Sequence, residues 1–231
     1  QLLLSLQWQG TDINLSQLEL THKLGSLHSS AHISTNGHYP LTAQARLQLS
    51  QGELAGQRLQ LHAEGSLAAL RIDATADGVI AAELQLSADL LDPLLPHQLR
   101  FNSNQLHWPA ATEAEHSAFH LTDSELTLSG NLQHTQVDGK LHITLADVPE
   151  AAINFSGNAS LNGVTFDTLQ LNTLNGQINS PVTLNWRQGL SWQGQVQLAA
   201  IQPGRFWPDY PGELSGSFRH NGQLKANGQW Q

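Results

Sequence analysis

Apolar residues occupy every second position in one segment after another. The runs are Leu2, Leu4, Leu6 and Trp8; Leu59 and Leu61; Leu70, Ile72 and Ala74; Ile80, Ala82, Leu84 and Leu86; Leu126 and Leu128; Leu141, Ile143 and Leu145; and Val182, Leu184 and Trp186. Successive side chains of a strand point to opposite faces, so a period of two predicts strands with one apolar and one wetted face. The pattern continues from the first residues to Leu224. Gly, Asn and Pro interrupt it at intervals of about 8 to 15 residues, the rhythm of an antiparallel meander of roughly 15 strands. Turns are predicted at Gln51-Gly52, Asp77-Gly78, Asp138-Gly139, Asn162-Gly163, Asn175-Gly176, Gln188-Gly189 and Asn221-Gly222. Asp-Gly and Asn-Gly suit tight hairpins, because both central residues of a type I′ turn need positive φ.

Helical signals are nearly absent. The best candidate is Ala88 to Leu95, where Asp89 caps a short turn and Pro93 and Pro96 stop it. Pro109 to Ser117 is polar and reads as an exposed loop. Pro203 to Gly212, with three prolines and three aromatics, is too stiff for a central strand and is expected to cross the sheet. No shift of composition marks a domain boundary, so residues 1–231 read as one continuous all-β segment.

Charged residues make up only 13% of the chain, about half the usual share. Uncharged Gln, Asn, Ser, Thr and His fill the wetted face instead. The formal net charge of −9 leaves no basic stripe for nucleic acid and no attraction to an anionic bilayer surface. There is no cysteine, so disulfides say nothing of the compartment. There is also no methionine, and the chain opens inside an apparent strand; it reads as a piece excised from a longer protein. No apolar run is long enough to span a bilayer, so any membrane anchor is expected outside the segment.

Candidate chemistry is sparse. Among the 12 histidines, His28 and His32 are four apart, as are His116 and His120, which in a strand puts each pair on one face. A zinc site needs three or four convergent ligands, and these histidines are scattered among Gln and Ser, as solvated surface residues are. No nucleophile elbow, phosphate loop or dinucleotide fingerprint occurs. Asp73, Asp123, Glu125 and Asp138 are the carboxylates a glycosidase would have to pair, but nothing in their spacing pairs them. No enzyme, metal or cofactor is expected.

Pattern alone leaves two architectures open. The apolar faces of a closed sandwich or solenoid pack on each other about 10 Å apart, whereas an open groove leaves them unpaired. Leucine far outnumbers isoleucine and valine combined. Packed β-cores favour the β-branched pair, and leucine, with freer rotamers, tolerates a wall whose contents move.

The C-terminal third carries a resemblance. Leu169 to Gly222 holds Trp186 and Trp192 around Gly189 (W-R-Q-G-L-S-W), followed by P-G-x-F-W-P-D-Y-P-G-E-L-S-G. Upstream stand Tyr39-Pro40-Leu41, Gly65-Ser66-Leu67, Asp92-Pro93-Leu94-Leu95-Pro96 and Leu106-His107-Trp108-Pro109, in order. This ordered set resembles the TamB family of AsmA-like bridge proteins, and the resemblance covers most of the chain.

The resemblance implies a periplasmic protein of Gram-negative bacteria, anchored in the inner membrane by a helix outside this segment. It implies a sheet curved like a taco around an apolar groove that carries phospholipid between inner and outer membrane. Its implied partners are phospholipid acyl chains and TamA, an outer-membrane barrel met by a C-terminal region absent here. An alternative role is a chaperone-like module that assembles outer-membrane proteins and autotransporters with TamA. On this reading the groove is lined by Leu59, Leu61, Leu70, Ile72, Ile80, Leu84, Leu86, Leu99, Phe101, Leu126, Leu128, Leu141, Ile143, Leu169, Leu171, Val182, Leu184, Trp186, Trp192, Val196 and Leu198.

Overall fold

The computed structural model describes residues 1–108, 119–187 and 189–224. They fold almost wholly into antiparallel strands: β1 (Leu2–Gln9), β2 (Asp12–His22), β3 (Gly25–Ser34), β4 (Pro40–Leu49), β5 (Arg58–Ser66), β6 (Ala69–Asp77), β7 (Ala81–Ala88), β8 (His97–Trp108), β9 (Phe119–Asn131), β10 (His134–Leu145), β11 (Val148–Ser160), β12 (Gly163–Thr173), β13 (Gly176–Asn179), β14 (Val182–Asn185), β15 (Leu190–Ile201) and β16 (Leu214–Leu224). The chain forms two compact units, Gln1–Thr122 and Asp123–Gln231, and the division falls inside β9.

In the first unit, each strand from β1 to β8 pairs antiparallel with the next. Two-residue turns at Gly10-Thr11, Lys23-Leu24 and Leu67-Ala68 close three of these hairpins. Where the loops are longer, side chains replace the missing ladder. Gln57, only 1% exposed, donates from Nε2 to the Ile80 carbonyl at 2.9 Å and accepts the Ile80 N–H on Oε1 at 2.8 Å. That amide copies the donor and acceptor of a paired strand residue, and ties the loop before β5 to the bend before β7. A buried amide left without those partners would cost about 1–3 kcal/mol. The predicted helical turn at Ala88 to Leu95 is not helical. Asp89 Oδ1 accepts the N–H groups of Leu91 (2.9 Å) and Asp92 (3.1 Å), as foreseen for a cap, but Pro93 and Pro96 hold the segment to an irregular turn.

In the second unit, β9 to β12 form a meander whose next strand is broken. β13 and β14 lie end to end, and each pairs with both β12 and β15. The break falls at Ser180-Pro181, where proline has no N–H to give the ladder. A bulge in β12 matches it: Ser156 faces Thr168 but Gly157 faces Phe166, leaving Asp167 unpaired. Beyond β15, Pro203–Arg205 forms a short 3-10 turn, and the Pro203 to Gly212 segment returns directly into β16, which pairs with β15. The proline-rich segment is therefore a hairpin connection and does not cross the sheet.

Several predicted turns are also placed differently. Asp138-Gly139 lies inside β10 and Asn221-Gly222 inside β16, so neither is a turn. The turn near Asn175 is centred one residue earlier, on Leu174 and Asn175, with φ of 51° and 60°. Gln188, Pro109 to Ser117 and His116 lie outside the described residues.

Candidate functional site

Residues directly opposite one another in a ladder share a face, so the register of the first unit can be followed across all its strands. One row runs Leu2, Leu20, Leu27, Leu47, Leu59, Ala76, Ala82. The next runs Leu4, Leu18, Ser29, Ala45, Leu61, Ala74, Leu84, Phe101. A third runs Leu6, Leu15, Ala31, Ala43, Ala63, Ile72, Leu86, Leu99, and a fourth begins Trp8, Ile13, Ile33, Leu41 and reaches Leu70 and Ala88. No charged residue interrupts these rows. The alternate positions, such as Gln7, Asn14, His32, Thr42 and Glu64, follow one another across the other face. Eight strands make this apolar face roughly 34 Å across.

Bulges keep the face unbroken. Leu18 follows Leu15 by three positions instead of two, which in a regular strand would turn Leu18 and Leu20 to the opposite side from Ile13 and Leu15. The ladder slips between Leu15 and Leu18, so all four stay on one side.

Among the described residues of the first unit, no second layer seals this face. Leu61 belongs to a middle strand with neighbours on both flanks, yet it is 40% exposed, and Leu59 beside it is 39% exposed. Among the described residues of the unit, the buried apolar ones are Ala63, Leu70 and Ala88, too few and too small for a two-layer core. Around Leu59, Leu61, Leu84 and Phe101 the face dips into a concavity of about 400 Å³.

The second unit has the same construction. Leu141, Ile153, Leu171, Ile178 and Leu198 form one row across β10 to β15. Ala159, Val164, Leu184 and Trp192 form another. Aromatic rings here lie over glycines of the neighbouring strand. A Cβ on Gly139 would strike the ring of Phe155, and one on Gly222 the indole of Trp192; one on Gly194 would stand 2.8 Å from the His220 ring. The Asp-Gly and Asn-Gly pairs mistaken for turns owe their glycines to this clearance, as aromatic cover of strand glycines requires.

Of the residues expected to line a groove, Leu59, Leu61, Leu70, Ile72, Leu84, Leu86, Leu99 and Phe101 share the face of the first unit. Leu141, Ile143, Leu169, Leu171, Val182, Leu184, Trp192, Val196 and Leu198 share that of the second. Leu126 and Leu128 alternate with Glu125, which pairs with Lys140 on the polar side at 2.8 Å. Ile80 lies in the bend before β7, not in the strand, and Trp186 lies past the end of β14. Its indole donates to the Leu161 carbonyl at 2.8 Å. The expected set omits Ile13, Leu15 and Leu18, which the bulge in β2 conceals, and also Leu27 and Ile33 of β3 and Leu41 of β4. It also omits Phe155, Phe166 and Phe218, opposite Leu169, Gly157 and Val196.

His28 and His32 sit opposite Arg46 and Thr42, and His32 Nε2 is 3.8 Å from Asp12. His120 packs its ring against His107, centroids 5.4 Å apart. Among the described residues no three His, Asp or Glu groups converge on a metal position. Lys140 is held above its usual range by its hydrogen bond to Glu125 and by that carboxylate's charge. Among the described residues no helix is long and apolar enough to cross a membrane.

A family model described as TamB, N-terminal domain, matches residues 1–231, the whole chain. The chain belongs to the TamB family. It is 25% identical over 228 residues to the translocation and assembly module subunit TamB of Haemophilus influenzae, an alignment that takes in 95% of this chain. The chain spans only 17% of the length of that TamB relative. No solved structure matches it. In this member of the family, eight consecutive strands of the first unit carry one continuous apolar face.

Proposed function

We propose that this chain is a section of an apolar conduit that carries phospholipids across the periplasm, between the inner and outer membranes of a Gram-negative envelope. The observation that supports it is the exposure of Leu59 and Leu61 in the middle of a continuous apolar face. Apolar surface of that extent is costly in water and marks a binding surface.

The physics of the cargo fits such a surface. A lipid tail crossing water exposes its methylenes at about 0.8 kcal/mol each, so a 16-carbon chain faces on the order of 12 kcal/mol. An unbroken apolar wall removes most of that barrier while the head group stays in water. No bond is made or broken, so the protein acts without a catalytic residue or cofactor. A membrane anchor and the contact with the outer-membrane barrel TamA belong, on this reading, to regions beyond this segment.

A second reading is a chaperone-like module for outer-membrane proteins and autotransporters. The name of the Haemophilus relative, a translocation and assembly module subunit, accommodates it. There, the apolar face or a strand edge such as β1 would hold an extended polypeptide by β-augmentation. Mass spectrometry of the organic extract of the purified protein separates the two. Phospholipid in stoichiometric amount is expected; bound peptide without lipid would favour the chaperone, and neither would defeat both.

A further inference from the structure

We propose that the polar face of the second unit carries a binding site for an uncharged glycan chain, laid across β12, β14, β15 and β16. The proposal is independent of the conduit reading, which concerns the opposite face of the sheet.

Three departures from a regular ladder meet on adjacent strands. β12 bulges at Asp167, the next strand is broken at Ser180-Pro181, and β15 carries Gly194 directly opposite Val182. The backbone at the break is nevertheless satisfied. The Ser180 N–H donates to the Leu169 carbonyl at 2.8 Å, and the Gln195 N–H to the Pro181 carbonyl at 3.2 Å. The result is a hydrogen-bonded depression of about 520 Å³, within the usual range for small-ligand sites. Its floor is the row Phe166, Val182, Gly194 and His220, which lends mainly backbone because its side chains belong to the apolar face. One rim is the row Thr165, Thr183, Gln193 and Asn221; along the other stand Asp167, Pro181, Gln195 and Arg219. The Thr165 and Thr183 hydroxyls lie 3.2 Å apart, which places both on this side.

The polar groups around the depression have no partners of their own. Elsewhere on the same face the amides bond one another: Gln170 and Gln177 both donate to Asn172 at 3.3 Å, and Asn179 donates to Gln177 at 2.9 Å. Among the described residues, the side chains of Asp167, Gln193, Gln195, Arg219 and Asn221 make no hydrogen bond or ion pair within the protein. Their donors and acceptors all remain available to a ligand.

The chemistry of the set selects the ligand. One carboxylate and one guanidinium balance, so no net charge favours a cation or an anion. Asp167 and Arg219 stand on strands three spacings apart, roughly 14 Å. Between them lie hydroxyls and carboxamides, each both donor and acceptor. A neutral, hydroxyl-rich molecule of some length matches that arrangement. The groups recur at the strand spacing of about 4.8 Å, against a rise of about 3.4 Å per residue in an extended peptide. An extended sugar chain advances per ring by nearly the strand spacing, so successive rings meet successive strands. A peptide falls out of step.

The test uses the protein as its own cell expresses it, titrated by saturation-transfer NMR observed on the probe. The glycan probe is tetra-N-acetylchitotetraose, and an acetylated, amidated Ser-Gln peptide is the comparison. Transfer to the sugar and none to the peptide is expected. Thr183→Val and Gln193→Ala should each weaken sugar binding about tenfold, the loss of one or two ligand hydrogen bonds. Gln193 is exposed, so its truncation spares the fold. Gln170→Ala, on the same face beyond the depression, should bind the sugar as the parent does. Lipid transfer should be unchanged in all three variants, so failure of the glycan site leaves the conduit reading standing. No transfer to the sugar, or transfer that Thr183→Val and Gln193→Ala both leave untouched, overturns the proposal. Transfer to the peptide alone overturns it too, and would make the depression a polypeptide site.

Discussion

Arginine in place of Leu84 or Leu171 is expected to cut lipid passage sharply. Both leucines lie in uninterrupted apolar rows, Leu84 between Ala74 and Phe101, and Leu171 between Ile153 and Ile178. A guanidinium there has no carboxylate partner and must either meet hydrocarbon or bring its water into the path. An unpaired charge against an apolar medium costs several kcal/mol, and ~1.4 kcal/mol is already tenfold in a rate or affinity. Phospholipid transfer in a membrane-to-membrane assay is therefore expected to fall at least about tenfold. Gln85→Arg and Gln170→Arg are the controls. Gln85 lies opposite Asp73 and Arg100, and Gln170 opposite Asn154 and Asn179, on the polar face. Their transfer rates should match the parent protein. Equal loss in both sets would mean that the faces are assigned to the wrong sides.

Gly139→Ala is expected to destabilise the second unit by about 1–3 kcal/mol, the usual cost of overpacking. The new methyl would meet the Phe155 ring and stand 2.9 Å from the Glu125 carbonyl oxygen, so a side chain and a backbone would both have to yield. Gly216→Ala, also in a strand, has nothing within 4 Å of its added methyl and should lie within about 0.5 kcal/mol of the parent. Combining Gly139→Ala with Phe155→Leu should cost less than the sum of the two changes, because the ring no longer occupies the space. Denaturant unfolding of the four variants measures this directly. Additive costs would show that the ring and the glycine are energetically independent.

The second prediction also explains where sequence reading fell short. Alternation revealed the apolar face wherever a strand is regular, as in Leu70 to Ala74 or Ala82 to Leu86, because side-chain direction there is fixed by parity alone. It failed where a bulge resets parity, so Leu15 and Leu18 did not read as one face. Asp138-Gly139 and Asn221-Gly222 carried the same dipeptide signal as a hairpin, but their glycines make room for rings on the neighbouring strand. Only tertiary contact distinguishes the two reasons for a glycine. The broken strand at Ser180-Pro181 was likewise hidden, since a proline between short apolar runs also fits a loop. The exposure of Leu61 lies beyond any pattern, for an alternating strand looks the same whether its apolar face is sealed or open. What pointed to the family in the sequence was the ordered set of Trp, Pro and Gly landmarks, which periodicity does not contain.

The most direct test places a photoreactive residue at Leu61, and separately at Gln60 on the opposite face, in the protein expressed by its own cell. Phospholipid adducts at position 61 and none at position 60 are the expected result. Adducts at 61 made only to polypeptide, or to another part of this protein packed across the face, would contradict it.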